Sequence, residues 1–337
     1  MNIWLPYLRT ETGTDVYIEA LAKALISMGH SAVLTPFSRN WQYFPWPLRS
    51  VPAPRGTEII LVSSWNGFAF RRQGRKLVVV SHSCVFDPAF APYRSPLQVL
   101  FHESAVRRYE RASLKAADAV VAVSAYTARV VQKVFGIPKP EVILNGVDTD
   151  FFCPAQDMPE AGVQQPLRLL FVGRLTRGKG ADLLPRIMAR LGRGFELRYT
   201  CGLRNVDPFA AIPNMKPLGR LTLEGVRDAY RQADLVLFPT RLEGFGYAAA
   251  EAMACGRPVI ASGCMSLPEI VEDGVTGRLC PVDDVDAFTS AIRALAADRD
   301  KLRAMGERAR AVAIAKFSRD RWTNDYLTLF KTVAEQS

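Results

Sequence analysis

Residues 234–260 read DLVLFPTRLEGFGYAAAEAMACGRPVI. The run Asp234-Leu-Val-Leu-Phe238 is short and apolar, as a buried parallel strand requires. Pro239 ends it. Glu243-Gly244-Phe245-Gly246 follows as a loop whose two glycines let backbone approach a ligand closely. Residues 248–254 are rich in small helix formers. Gly256 stands where a helix would be capped, and Pro258 blocks its continuation. The stretch therefore predicts strand, loop, helix and strand, the repeating unit of a parallel α/β sheet.

Two carboxylates stand out in it, Glu243 in the loop and Glu251 in the helix. Carboxylates accept hydrogen bonds from vicinal hydroxyls, and the free amides of a helix start attract phosphate. Composition alone leaves open a solvated pair of glutamates. The spacing points further. Glu-Gly-Phe-Gly, then Glu-Ala-Met-Ala-Cys-Gly-x-Pro-Val-Ile, resembles the E-x7-E signature of retaining family 4 glycosyltransferases, a match far longer than a lone glycine pattern.

Upstream, residues 167–172 read as a strand, and Gly173-Arg174-Leu-Thr-Arg-Gly-Lys179-Gly180 leads from it toward a helix. This nearly satisfies the phosphate-loop pattern, but Gly180 stands where the magnesium-holding hydroxyl belongs. An ATPase reading thus loses its metal ligand. In the family that the chain resembles, an Arg and a Lys at this spacing neutralise the donor diphosphate, and no metal is needed.

The 337 residues are enough for two domains. Composition is that of a globular protein, with 49% hydrophobic and 23% charged residues. Six cysteines lie scattered without metal-site spacing, which predicts reduced thiols and a cytoplasmic location. No signal peptide is expected, and no apolar run approaches the length of a membrane span. The net charge of +10 favours anionic partners. It divides into +4 over residues 1–160 and +6 over the rest, which argues against a basic nucleic-acid arm.

Residues 1–35 read strand, loop, helix, strand. The loop holds Arg9, Thr10, Glu11, Thr12, Gly13 and Thr14; the helix carries Val16, Leu21, Ala24, Leu25 and Met28 at one-face spacing. Residues 36–57 mix Trp41, Tyr43, Phe44 and Trp46 with five prolines, which precludes a regular helix or a central strand. These aromatics either pin a loop onto the domain, stack on sugars or dip into lipid. A strand at residues 77–80 runs into Ser81-His82-Ser83. A residue just past such a strand points into the ligand crevice, with Asp87 a weaker candidate at the same rim. Along the helix at residues 97–117, Arg107, Arg111 and Lys115 recur every four residues. That face is either solvated or suited to an anionic bilayer. Two D-x-D strings, at 148–150 and 284–286, are read as coincidence, the second as a helix cap.

The resemblance covers nearly the whole chain and implies a GT-B fold: two facing Rossmann-like domains with a cleft between. It implies an acceptor-binding domain at residues 1–160, a nucleotide-sugar domain at 161–317, and a last helix at 318–337 crossing back, packed through Trp322, Tyr326, Leu329 and Phe330. The hinge is expected among Pro154, Pro159, Gly162 and Pro166. In the family the loop at Gly13 commonly has paired glycines beside the donor phosphates; here Thr14 replaces the second. The implied reaction moves a sugar from a nucleotide diphosphate sugar to an acceptor hydroxyl with retention, in envelope polysaccharide or lipopolysaccharide assembly. Arg174 and Lys179 would hold the diphosphate, Glu243 and the amides of Gly244, Phe245 and Gly246 the sugar, and Glu251 the ribose. His82 would orient sugar or acceptor. No metal and no cofactor beyond the donor substrate is implied. Partners would be the donor and a saccharide or lipid-linked acceptor, with peripheral contact at the inner membrane face one reading and nucleic acid not expected. An epimerase or phosphorylase on the same fold, or a non-catalytic binding protein, are the alternatives.

Overall fold

The computed structural model describes residues 1–10, 12–155, 166–201 and 208–336. Glu11, and Pro159 and Gly162 of the expected hinge, lie outside the described residues. The chain divides into two compact units, Met1–Gly146 with Arg319–Ser337, and Val147–Ser318.

The first unit holds a six-stranded parallel sheet of β1 (Asn2–Arg9), β2 (Ser31–Ser38), β3 (Ile59–Ser63), β4 (Lys76–Ser81), β5 (Ala119–Ala122) and β6 (Glu141–Val142). Their order is β2-β1-β3-β4-β5-β6. β3 and β4 are almost wholly buried, as their unbroken Val/Ile/Leu runs require of strands covered on both faces. β2 forms an edge and admits Pro36, which cannot donate to a ladder. The helices are α1 (Gly13–Ser27), α2 (Pro96–Phe101), α3 (Arg107–Ala116) and α4 (Ala125–Phe135). α1 buries Tyr17, Ile18, Leu21, Ala22 and Leu25. Val16, expected on that face, is 56% exposed, because the buried stripe is centred one position further on. The single helix expected near residues 97–117 is α2 and α3 joined by a π turn at His102–Val106.

The second unit holds β7 (Leu167–Phe171), β8 (Phe195–Thr200), β9 (Met215–Gly219), β10 (Leu235–Phe238), β11 (Val259–Ser262) and β12 (Gly277–Cys280), all parallel, in the order β12-β11-β10-β7-β8-β9. Around them lie α5 (Leu184–Leu191), α6 (Leu223–Gln232), α7 (Tyr247–Ala254), α8 (Leu267–Ile270), α9 (Val285–Ala296) and α10 (Arg299–Phe317). Asp284 accepts from the Ala287 amide at 2.9 Å and caps α9, so the second D-x-D string is a helix start.

The last helix, α11 (Arg319–Glu335), belongs to the first unit. Trp322, Tyr326 and Phe330 are fully buried, while Leu327 rather than Leu329 completes the face. A glycine at 146 is what admits this helix: a Cβ there would lie 2.7 Å from the Trp322 side chain. Tyr17 of α1 packs edge-on to Trp322 at 5.2 Å and donates its hydroxyl to that of Tyr326.

Candidate active site

In open parallel sheets, ligands bind outside the carboxyl ends of strands where the winding reverses. In the second unit that point lies between β7 and β10, so the loops after them, residues 172–183 and 239–246, form the expected site. The structure stitches these two loops together. The Gly178 carbonyl accepts from the amides of Arg241 at 2.9 Å and Leu242 at 3.3 Å, and from the Thr240 hydroxyl at 3.2 Å. Lys179 then reaches Glu243, Nζ to Oε2 at 2.5 Å, with both side chains largely shielded. Arg174 is exposed, and no partner is found for its side chain among the described residues.

Gly180 explains why this loop departs from the phosphate-loop pattern. Its φ is +72°, and a Cβ would lie 2.0 Å from the Pro239 carbonyl oxygen. No serine or threonine fits there, so the loop is closed to that chemistry by packing as well as by sequence.

The Glu243 loop is fixed from beneath. Ser266 donates to the carbonyls of Glu243 at 3.0 Å and Phe245 at 2.9 Å. The Phe245 ring is buried and packs edge-on to Tyr247 at 5.3 Å and Phe317 at 5.8 Å. Only its backbone is left to meet a ligand. Gly246, at φ +113°, turns the chain into α7. One turn further, Glu251 accepts from the Tyr230 hydroxyl at 3.0 Å. Burial pushes the Glu251 carboxyl up to about 7, and the Tyr230 hydrogen bond only partly opposes that shift.

The first unit has its own winding reversal, between β1 and β3. There a cavity of about 320 Å³ opens, lined by Thr10, Thr12 and Thr14, by Ser64 and Trp65, and by His82 past β4. Thr12 caps α1, and Asp15 accepts from both the amide and hydroxyl of Thr10 at 2.8 Å. The His82 ring packs edge-on to Tyr17 at 4.5 Å, and burial lowers its pKa to about 4. It is therefore a neutral hydrogen-bonding group at neutral pH. Asp87 is buried, caps a short turn and accepts from Tyr126 at 2.6 Å, which makes it a structural residue.

Two family models match the chain in sequence: glycosyl transferases group 1 over residues 166–298, and glycosyltransferase family 4 over residues 33–151. The chain belongs to the group 1, family 4 glycosyltransferases. A D-inositol 3-phosphate glycosyltransferase of Kribbella flavida is 34% identical over 228 residues, which is 59% of this chain and 53% of that protein. The match thus spans about half the length of that relative. Among solved structures, a sucrose-phosphate synthase from Thermosynechococcus elongatus superposes with TM-score 0.85 and 21% identity, covering 100% of both chains. An Anabaena protein solved in complex with UDP-glucose superposes with TM-score 0.75 and 18% identity, over 98% of this chain and 100% of that one. The fold is GT-B, as the sequence motifs imply.

Of the expected site residues of this family 4 member, the second unit brings Lys179 and Glu243 into contact. It places Arg174 at the head of the Lys179 loop, and Glu251 one turn into the helix that follows the Glu243 loop. His82 and Gly13 belong to the other unit. Gly13 is exposed, and a Cβ there would meet nothing within 4 Å, so packing does not demand glycine.

One residue that no local pattern marks anchors the site. Arg241, 7% exposed, donates to Asp182 at 2.7 and 2.9 Å, to Asp283 at 2.5 Å, and to the Arg177 carbonyl. Its side-chain bonds to Asp182 and Asp283 raise its pKa. It binds the two site loops to the segment before α9. The only sequence signal was an arginine two residues ahead of Glu243, in a loop whose contacts come from residues 59 and 42 positions away.

Proposed function

We propose that the protein is a retaining, metal-independent glycosyltransferase. It moves a sugar from a nucleoside diphosphate sugar to a hydroxyl of a saccharide or lipid-linked acceptor, in the assembly of envelope polysaccharide or lipopolysaccharide. The observation that carries this reading is the Lys179–Glu243 contact at the mouth of β7 and β10. A cation and an anion held together there satisfy each other. A donor offers each a better partner: phosphate oxygens for Lys179 and Arg174, sugar hydroxyls for Glu243. Glu251 then takes the ribose hydroxyls.

The bond that breaks joins the anomeric carbon to the diphosphate oxygen, and the charge that develops there faces Arg174 and Lys179. Preorganised cations at a leaving group are worth about 10²–10³ in rate. The bond that forms joins the anomeric carbon to the acceptor oxygen on the same face. The acceptor proton passes to the departing phosphate oxygen, so no enzyme nucleophile is required. In the first unit, the neutral His82 ring and the threonine hydroxyls offer hydrogen bonds to a polyhydroxylated acceptor. The Kribbella flavida relative, a D-inositol 3-phosphate glycosyltransferase, supports an acceptor of this kind.

A thermal-shift panel of UDP-, GDP- and ADP-sugars identifies the donor, since a ligand at about 100 times its Kd adds about 2.7 kcal/mol of stability. NMR of the product then reads the anomeric configuration. Arg174→Ala and Lys179→Ala should each lower turnover at saturating donor by about 10²-fold. Unchanged turnover in both variants would refute the phosphate assignment, and an isomerised donor in the absence of acceptor would make the protein an epimerase.

A further inference from the structure

The aromatic and proline-rich segment after β2 has no part in the chemistry above, yet the structure displays it. Tyr43, Phe44 and Trp46 are 55%, 59% and 42% exposed, and Leu97 and Leu100 on α2 are 79% and 66% exposed. Large apolar side chains scattered singly on a surface need no explanation, but here the three aromatics are tied to one another and to α2, the helix that carries the two leucines. Tyr43 packs on Phe101 of α2 at 5.1 Å, and Phe44 on Trp46 at 4.9 Å. Trp46 meets Tyr109 of α3 edge-on at 5.4 Å, and the Tyr109 hydroxyl donates to the Tyr43 carbonyl at 3.2 Å. Pro45 and Pro47 flank Trp46 and stiffen the chain that carries it.

Beside this patch lies an open depression of about 480 Å³, lined by Arg49, Phe68, Arg71, Arg72 and Ala112. Phe68 belongs to both features: Trp46 packs against it at 6.5 Å, and the Arg49 guanidinium lies over its ring at 5.2 Å. Arg72 is committed to the carbonyls of Leu48 and Val51, and Arg71 to Asp118. Among the described residues no hydrogen bond engages the Arg49 side chain. Arg108, Arg111 and Lys115 stand exposed on α3, with Arg108 one turn from Ala112. The nearby acids are occupied, Glu103 by Arg107 and Asp118 by Arg71.

We propose that this face docks on an anionic phospholipid bilayer. Phe44, Trp46, Leu97 and Leu100 enter the boundary between headgroups and acyl chains, where rigid aromatic rings are favoured. Arg49, Arg111 and Lys115 meet lipid phosphates. A second copy of the chain fits the face poorly. In a twofold pair the patch meets itself and sets these cations against one another.

The test is flotation of the whole chain with vesicles of phosphatidylcholine alone, or mixed equally with phosphatidylglycerol. Binding is expected only with the anionic lipid and should weaken as salt rises. Arg49→Glu with Arg111→Glu should weaken it by at least about 25-fold, from roughly fivefold per lost cation. Phe44→Ser with Leu97→Ser should also abolish flotation. All four side chains are exposed, so thermal stability and nucleotide-sugar binding should match the parent, which separates this proposal from that of sugar transfer. No flotation with anionic vesicles overturns it. So does undiminished flotation of either variant pair, or a concentration-dependent dimer that Phe44→Ser dissolves.

Discussion

The Tyr230 hydroxyl, itself fully buried, donates to Glu251 at 3.0 Å, and Glu251 is held near a pKa of 7. A carboxylate poised there has a consequence for donor binding. Ribose hydroxyls donate to the ionised form, so a bound donor favours loss of the proton. As pH rises from 6 to 8, Kd for the donor should fall by about tenfold, the span expected of one proton linked to binding. Glu251→Gln should bind more weakly and show little of this dependence. Calorimetric titration across that range checks it, and a flat profile in the parent protein would remove Glu251 from the ribose.

Gly180 and Pro239 make a sharper demand. A Cβ at position 180 would lie 2.0 Å from a backbone oxygen that cannot swing away, in a conformation with φ +72°. Gly180→Ala should therefore displace the Lys179 loop from the loop after β10. The expected loss of stability is about 3 kcal/mol, in the range of strain at a special backbone position. Donor binding should fall further than stability, because Lys179 and Glu243 would separate. Thermal denaturation and donor titration of the variant measure both, and a variant with unchanged melting and affinity would contradict the packing.

The parallel sheets were legible because their strands carry unbroken apolar runs, and the two loops joined after β7 and β10 because Glu243, Glu251, Arg174 and Lys179 sit at telling spacings. What the sequence withheld was long-range. Nothing local marks Arg241 as the buried tie between Asp182 and Asp283, and nothing near Gly146 announces Trp322 of the last helix. Helical periodicity placed Val16 inside, since a stripe one residue off reads almost as well on fifteen residues. The cavity of the first unit was visible only through His82 and the Thr10–Thr14 loop. Its remaining walls, such as Ser64 and Trp65, come from a strand end whose neighbours the sequence cannot show.

His82 lends itself to a test of role. Its ring rests on Tyr17, and burial takes its pKa to about 4. Turnover should show no inflection near 6.5 from this residue. His82→Ala should reduce turnover about 10²-fold if the ring hydrogen-bonds a reacting partner, whereas His82→Gln, which can still donate and accept, should recover part of it. The pH profile of turnover in the three proteins distinguishes the cases. An inflection near 6.5 that vanishes in both variants would mean that His82 acts as an ionising group instead.

Glu110 provides a stability test independent of any substrate. It is 1% exposed, accepts from Ser64 at 2.6 Å, and its second oxygen is buried with no partner among the described residues. Desolvation pushes its pKa up to about 7 from the ordinary 4.5, against smaller opposing effects of Ser64 and Arg107. Between these values the folded chain holds a proton that the unfolded chain releases. Stability should therefore fall as pH rises through that window and level off above 7. A tenfold difference in proton affinity between the folded and unfolded chain is worth about 1.4 kcal/mol, so the burden reaches about 3 kcal/mol at most. Glu110→Gln should lift it, leaving the variant more stable than the parent at pH 8 and no more stable at pH 4. Denaturant unfolding at the two pH values measures the difference, and an equal effect at both would show that the carboxyl is not titrating in the core.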